Sequence, residues 1–176
     1  MNIRISRTSD LDEILSVYEQ AFGKDECPPI QKLVTEFLEI PDEDASILSL
    51  VAENESLITA HVIFSAMRCQ GYNRNTFILA PLAVSPDHQR AGIGSALVKE
   101  GISQLTKKSS STFFVYGDPA YYGRFGFTPA NPNTWVPPYP LEYPHGWQIL
   151  LDQPERDLPV KVSLSCLSPL NRAELW

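Results

Sequence analysis

Leu82-Ala83-Val84-Ser85-Pro86-Asp87-His88-Gln89-Arg90-Ala91-Gly92-Ile93-Gly94-Ser95-Ala96-Leu97 is the stretch from which the rest of the chain can be ordered. A run of strand character enters a polar turn, and the turn opens a helical pattern. Ile93, Leu97, Val98, Ile102 and Leu105 share one stripe, so a helix is expected over 91–105. The first turn of a helix has unpaired N–H groups and the positive end of the dipole, which together attract phosphate. Gly92 and Gly94 lack the Cβ atoms that would hold an anion off the backbone. Gln89 can donate from its carboxamide, and Arg90 adds charge if it turns inward. A Walker loop is excluded, because it needs four residues between its glycines and then Gly-Lys-Ser/Thr. A Rossmann fingerprint is excluded, because Leu97 stands where its third glycine belongs. The residues alone leave two readings open: a pyrophosphate cradle, or a glycine loop that packs a helix on a sheet.

Working outward, Ile3 and Ile5 read as a short strand. A helix is expected over 11–22, capped by Ser9 or Asp10, with Asp12 and Glu13 in its first turn and Gly23 at its end. A second helix is expected over 30–38, after Pro28-Pro29 and before Pro41. Strands 46–53 and 57–67 form a hairpin about Asn54-Glu55-Ser56, and a third strand covers 77–84. Pro81 has no N–H and suits a distorted strand. Beyond the 91–105 helix come a strand at 112–116, a short helix at 120–125 with Pro119 in first place, and strands at 147–151 and 160–166. Six prolines fall within 128–144, which forbids a helix and indicates an ordered extended loop. The order is β-α-α-β-β-β-α-β-α-β-β, an α/β chain with a mixed sheet.

The 176 residues suit one domain over 1–176, with a core to about 130 and the Pro-rich loop and last strands in 131–176. Hydrophobic residues at 43% and charged residues at 20% exclude a disordered or fibrous chain. No apolar run reaches the length of a membrane span, and the charged first twenty residues contain no signal-peptide core. The net charge of −7 argues against nucleic acid as a partner. Charge is uneven: residues 1–60 carry a net of −9, and residues 61–128 a net of +4. A basic middle suits an anion, and the acidic side chains Asp25, Glu26, Asp42, Glu43 and Asp44 suit a cation. Cys27, Cys69 and Cys166 are scattered without metal-ligand spacing, so no metal is expected and a reducing cytoplasm is.

With these residues in place, the 82–97 segment resembles the acyl-CoA-binding motif of the GCN5-related N-acetyltransferases, Gln/Arg-x-x-Gly-x-Gly/Ala. Gln89, Gly92 and Gly94 fill its three diagnostic places. Gly117-Asp118-Pro119-Ala120-Tyr121-Tyr122-Gly123-Arg124-Phe125-Gly126-Phe127 is similar to the YhbS-type subgroup of small bacterial predicted N-acetyltransferases. The resemblance implies the acyl-CoA N-acyltransferase fold: a central, twisted, mostly antiparallel sheet with splayed strands, flanked by helices. It implies acetyl-CoA as the bound co-substrate. The backbone of Leu82, Ala83 and Val84 would hold the pantetheine arm, with a bulge that splays the neighbouring strands and opens the acyl slot. The amides of Gln89, Arg90, Ala91, Gly92, Ile93, Gly94 and Ser95 would hold the pyrophosphate. It also implies direct attack by a neutral amine in a ternary complex, with backbone donors polarising the thioester.

Tyr122 stands four residues before Gly126-Phe127, matching the family's Tyr-x-x-x-Gly-Phe. A phenol is protonated at neutral pH and can donate to a departing thiolate. The resemblance therefore implies Tyr122 as general acid, with Tyr121 the adjacent alternative. Family members often carry an Asn seven residues before the Tyr. Here Asp118 stands four before it and reads instead as a helix cap. No base is identified among His61, Glu53, Glu55, His88 and Glu142. His61, mid-strand among apolar residues, reads as structural. Trp135 and Tyr139 form either an acceptor wall or the pins of a surface loop. The expected partner is a small-molecule or peptide amine, and a homodimer is left open. A CoA-binding sensor without turnover, and an O-acyl or longer-chain transferase, are the alternatives.

Overall fold

A computed structural model describes residues 1–23, 27–41, 46–151 and 161–176. In chain order the elements are β1 (Asn2–Ile5), α1 (Leu11–Ala21), α2 (Cys27–Leu38), β2 (Ile47–Asn54), β3 (Leu57–Gln70), β4 (Asn75–Val84), α3 (Ile93–Lys107), β5 (Ser110–Tyr116), α4 (Pro119–Tyr122), β6 (Thr128–Pro129), β7 (Trp135–Val136), β8 (Trp147–Leu151) and β9 (Val162–Cys166). The fold is mixed α/β with a mostly antiparallel sheet and flanking helices. The β4/β5 and β7/β9 pairs are parallel, whereas β1/β2, β3/β9, β5/β8 and β6/β8 are antiparallel. The residues fall into two compact units, 1–64 with 81–101 and 65–80 with 102–176.

In the first unit β1 lies on β2, from Asn2 opposite Glu53 to Ile5 opposite Leu50. The chain turns from β2 into β3 through Glu55 and Ser56, at φ 50 and 69. Two successive left-handed residues match the twist of a two-residue hairpin. Leu50, Val51 and Ala52 of β2 and Ala60, Val62, Ile63 and Phe64 of β3 are fully buried. The helices bury one stripe each: Ile14, Val17 and Tyr18 on α1, and Leu33, Val34 and Phe37 on α2. Gly101 of α3 lies directly on the Phe64 ring, leaving no room for a Cβ.

The start of α2 and the cap of α1 differ from the sequence expectation. Pro28 and Pro29 lie inside α2, which begins at Cys27 rather than at 30. The first turn of a helix needs no internal N–H donor, so it accepts both prolines. Asp10 does not cap α1 with its side chain. Its carboxylate accepts from the Arg7 N–H at 2.7 Å and from Arg4 Nη1 at 2.6 Å. Arg4 also donates to Glu53 at 2.7 Å, and its bond to Asp10 holds that carboxyl below the ordinary carboxylate range.

In the second unit β4 runs parallel to β5, from Asn75 opposite Ser110 to Leu79 opposite Val115. The register shifts between Asn75 and Thr76, leaving Ser111 as the extra residue of a bulge. β5 pairs β8 from Thr112 opposite Leu151 to Tyr116 opposite Trp147, and β6 lies on the far side of β8. The proline-rich segment is free of α-helix, as its composition requires, but it also supplies β6 and β7. Pro129 fits because β6 is a two-residue edge strand. Three tryptophans fix the unit. Trp147 stacks on Phe114 at 4.8 Å and donates its indole N–H to Trp135 O at 3.0 Å. Trp135 packs edge-on against Tyr72 at 5.0 Å and Phe114 at 5.5 Å. Trp176 stacks on Tyr116 at 6.3 Å and donates to Leu170 O at 2.9 Å. Trp135 is thus a core residue and not an exposed wall. Tyr139 bonds the Asn171 carbonyl at 3.1 Å, pinning the loop to the C-terminal segment.

Candidate functional site

Leu82 to Ser95 form one continuous strand, loop and helix in the first unit. Leu82 and Val84 are half-buried and Ala83 is buried, so the strand end turns one face to the core and the other outward. The Ser85 N–H donates to Thr59 O at 2.9 Å, anchoring the strand end on β3. Pro86–His88 form a 3-10 turn, and Ser85 Oγ lies 3.3 Å from His88 Nδ1. The Gln89 carboxamide donates to Val84 O at 3.1 Å. Gln89 therefore braces the turn against the strand it leaves.

The backbone then alternates its hand. Gln89 is extended, Arg90 has φ 62 and Gly92 has φ 80. Such alternation turns successive N–H groups into one concavity, the geometry of an anion nest. Gly92 cannot be helical at that φ, so α3 begins at Ile93 and not at 91. The Ala96 N–H donates to Gly92 O at 2.9 Å and opens the helical ladder. Among the described residues, the six N–H groups from Arg90 to Ser95 have no acceptor. Gln89, Arg90, Ala91 and Gly92 are exposed, and a Cβ built on Gly92 meets nothing within 4 Å. Six unpaired donors leading into and opening a 15-residue helix, with open space at Gly92, fit a diphosphate.

Tyr122 lies in the second unit, at the end of α4. Asp118 caps this helix by accepting from the Ala120 N–H at 2.9 Å, and Pro119 takes its first position. The Tyr122 ring rests on the bare Cα of Gly117: a Cβ there would lie 2.6 Å from Tyr122 Cε2. Tyr121 and Phe127 meet the ring edge-on at 5.0 and 6.0 Å. Burial, then Tyr121 and Asp118, push the phenol well above its ordinary range, so it is protonated at neutral pH. The aromatic contacts fix the ring while leaving the hydroxyl without a bond to any described residue. Tyr121 instead carries Arg124 over its ring at 4.6 Å. Gly117 could have been singled out only by knowing where the Tyr122 ring lies.

His61 is fully buried, with Nδ1 3.0 Å from Tyr18 Oη and Nε2 2.7 Å from Ser49 Oγ. Burial pushes it down to about 3, so it is neutral and structural at pH 7. Glu53 is engaged by Arg4, whereas Glu55 and Glu142 are exposed. Asp25, Glu26, Asp42, Glu43 and Asp44 lie outside the described residues. Among the described residues no cluster of His, Cys, Asp and Glu is arranged to hold a metal ion, and no helix is long and apolar enough to cross a membrane.

Comparison with known proteins gives a consistent picture. The acetyltransferase (GNAT) domain family matches residues 2–130. The uncharacterized N-acetyltransferase YjhQ of Escherichia coli K12 is 37% identical over 145 residues, 80% of this chain and 77% of the relative. The crystal structure of the GNAT family N-acetyltransferase YhbS from Escherichia coli, in complex with CoA, superposes with a TM-score of 0.81 at 26% identity, covering 97% of this chain and 92% of that one. A GNAT family acetyltransferase from Brucella melitensis, in complex with acetyl-CoA, gives a TM-score of 0.73 at 28% identity, covering 96% and 97%. With the family matching residues 2–130 and a relative at this identity over most of both chains, the chain belongs to the GNAT family of N-acetyltransferases.

Proposed function

We propose that the chain works as one N-acetyltransferase domain that binds acetyl-CoA and transfers its acetyl group to an amine by direct attack in a ternary complex. The observation that carries this reading is the run of six unpaired amides from Arg90 to Ser95 beneath the open face of Gly92. Those amides hold the pyrophosphate, and Arg90 adds a positive charge at the rim. The outward backbone of Leu82, Ala83 and Val84 binds the pantetheine arm. Acetyl-CoA supplies an acetyl group activated as a thioester. The amine must be neutral to attack, and its proton leaves to solvent or to a base of the acceptor site. Tyr122 is the general acid: a fixed, protonated phenol that donates toward the departing sulfur.

Tyr122→Phe tests the assignment, because it removes one oxygen and leaves the ring on Gly117. In single-turnover acetyl transfer the rate should fall by roughly 10²-fold or more, with CoA affinity changed by less than about twofold. An unchanged rate with chemistry limiting would remove Tyr122 from the mechanism. The acceptor can be sought by thiol release across a panel of small amines and peptides.

A further inference from the structure

A cavity of about 420 Å³ opens in the second unit, lined by Tyr116, Gly117, Asp118, Pro119, Tyr143, His145 and Gly146. Its volume is in the range that takes a small molecule. The lining contains two phenol rings, an imidazole, a proline ring and one carboxylate, with no Lys or Arg among them. Glu142 adds a second carboxylate beside the cavity, where its hydrogen bond pushes the Tyr143 phenol up.

The walls are built before any ligand arrives. Tyr116 is stacked on Trp176 and accepts the Tyr143 N–H at 2.7 Å, which ties the Tyr143 segment to the end of β5. Gly117 N–H donates to Gly146 O at 2.9 Å, and Gln148 Nε2 donates to Gly117 O at 3.0 Å. Gly146 packs closely here: a Cβ on it would lie 3.1 Å from the Tyr116 ring and 3.2 Å from Gly117 O. Tyr143 and His145 meet edge-on at 6.1 Å on the open side. Asp118 uses Oδ1 to cap α4, and Oδ2 has no partner among the described residues. Gly117 also carries the Tyr122 ring, so this cavity and Tyr122 share a wall.

We infer that this cavity is the acceptor site, and that it takes a small organic ammonium compound whose cation meets the Asp118 carboxylate and whose apolar body lies on Tyr116, Tyr143 and Pro119. A carboxylate and aromatic faces, with no Lys or Arg in the lining, select a cation and disfavour a phosphate or carboxylate ligand. That the bound amine is also the group acetylated rests on the transferase reading. The binding itself does not.

Benzylamine is the probe, with benzyl alcohol and benzoate as neutral and anionic controls. Calorimetry on the native protein should show benzylamine binding at least about tenfold tighter than either control. Asp118→Asn retains a capping side chain, and Tyr143→Ala alters an exposed residue, so both variants should fold. Each should weaken benzylamine about fivefold or more while leaving CoA affinity unchanged. Equal binding of the three probes, or benzylamine binding indifferent to both substitutions, would overturn the cavity assignment. Benzylamine binding lost in both variants of a protein that does not bind CoA would uphold the cavity and overturn the transferase reading instead. CoA turnover with an amine KM untouched by either variant would uphold the transferase and overturn the cavity.

Discussion

Lowering the pH from 7 to 5 should cost the folded protein about 2 kcal/mol through His61 alone. The ring is fully buried between Tyr18 and Ser49, and burial lowers it from 6.5 to about 3. A group depressed in the folded state stabilises fully above its unfolded value and loses that contribution as the pH falls. The unfolded chain protonates this imidazole near 6.5, whereas the folded chain resists until about 3. Between those values unfolding takes up one proton, and stability drops by about 1.4 kcal/mol per pH unit, to a ceiling of about 5 kcal/mol. Asp10, held down by Arg4, adds a second loss only as the pH approaches the ordinary carboxylate value of 3.8. Urea unfolding at pH 7, 6 and 5, followed by tryptophan fluorescence, isolates the His61 part. His61→Gln keeps a polar side chain between Tyr18 and Ser49 and does not titrate. Its stability at pH 7 should be lower than native, but the loss between pH 7 and 5 should shrink by about 2 kcal/mol. Equal pH slopes in the two proteins would refute the buried, neutral histidine.

Two further substitutions separate packing from propensity. Gly101→Ala should raise helix propensity in α3 by about 1 kcal/mol yet destabilise the protein by about 1–3 kcal/mol, because the new methyl meets the buried Phe64 ring. Chemical denaturation reads the sign, and a more stable variant would contradict the close approach of helix and ring. Gly117→Ala would set a methyl 2.6 Å from Tyr122 Cε2 and displace that ring. It should lower the acetyl-transfer rate about tenfold or more with little change in CoA affinity, since misplacing a donor affects the chemical step. A native rate would show that the position of Tyr122 does not matter.

Much of this was legible from residues because the signals were local. The stripe of Ile93, Leu97, Val98, Ile102 and Leu105 gave α3, and Asp118-Pro119 gave the capped start of α4. What escaped depended on backbone hand or on distant partners. Nothing in Arg90 announces φ 62, and φ 80 at Gly92 moved the helix start by two residues. Pro28-Pro29 looked like a barrier and proved to be a first turn. β6 and β7 are two-residue strands that exist only because β8 and β9 lie beside them. Trp135 looked available on a proline-rich loop, but its partners Tyr72 and Phe114 are remote in sequence. The glycine signature located the proposed cradle, whereas the cavity at Tyr143 and His145 forms only when β5 and β8 pair.

The most direct test of the central claim is calorimetric titration of native protein and Gly92→Asp with acetyl-CoA, CoA and ATP side by side. The unpaired amides from Arg90 to Ser95 predict binding on the order of micromolar for acetyl-CoA and CoA, clearly tighter than for ATP. Gly92→Asp should abolish it, by adding negative charge in the open space above those amides and forcing a side chain to φ 80. Absence of CoA binding by the folded native protein, or undiminished binding by a folded Gly92→Asp, would contradict the cradle.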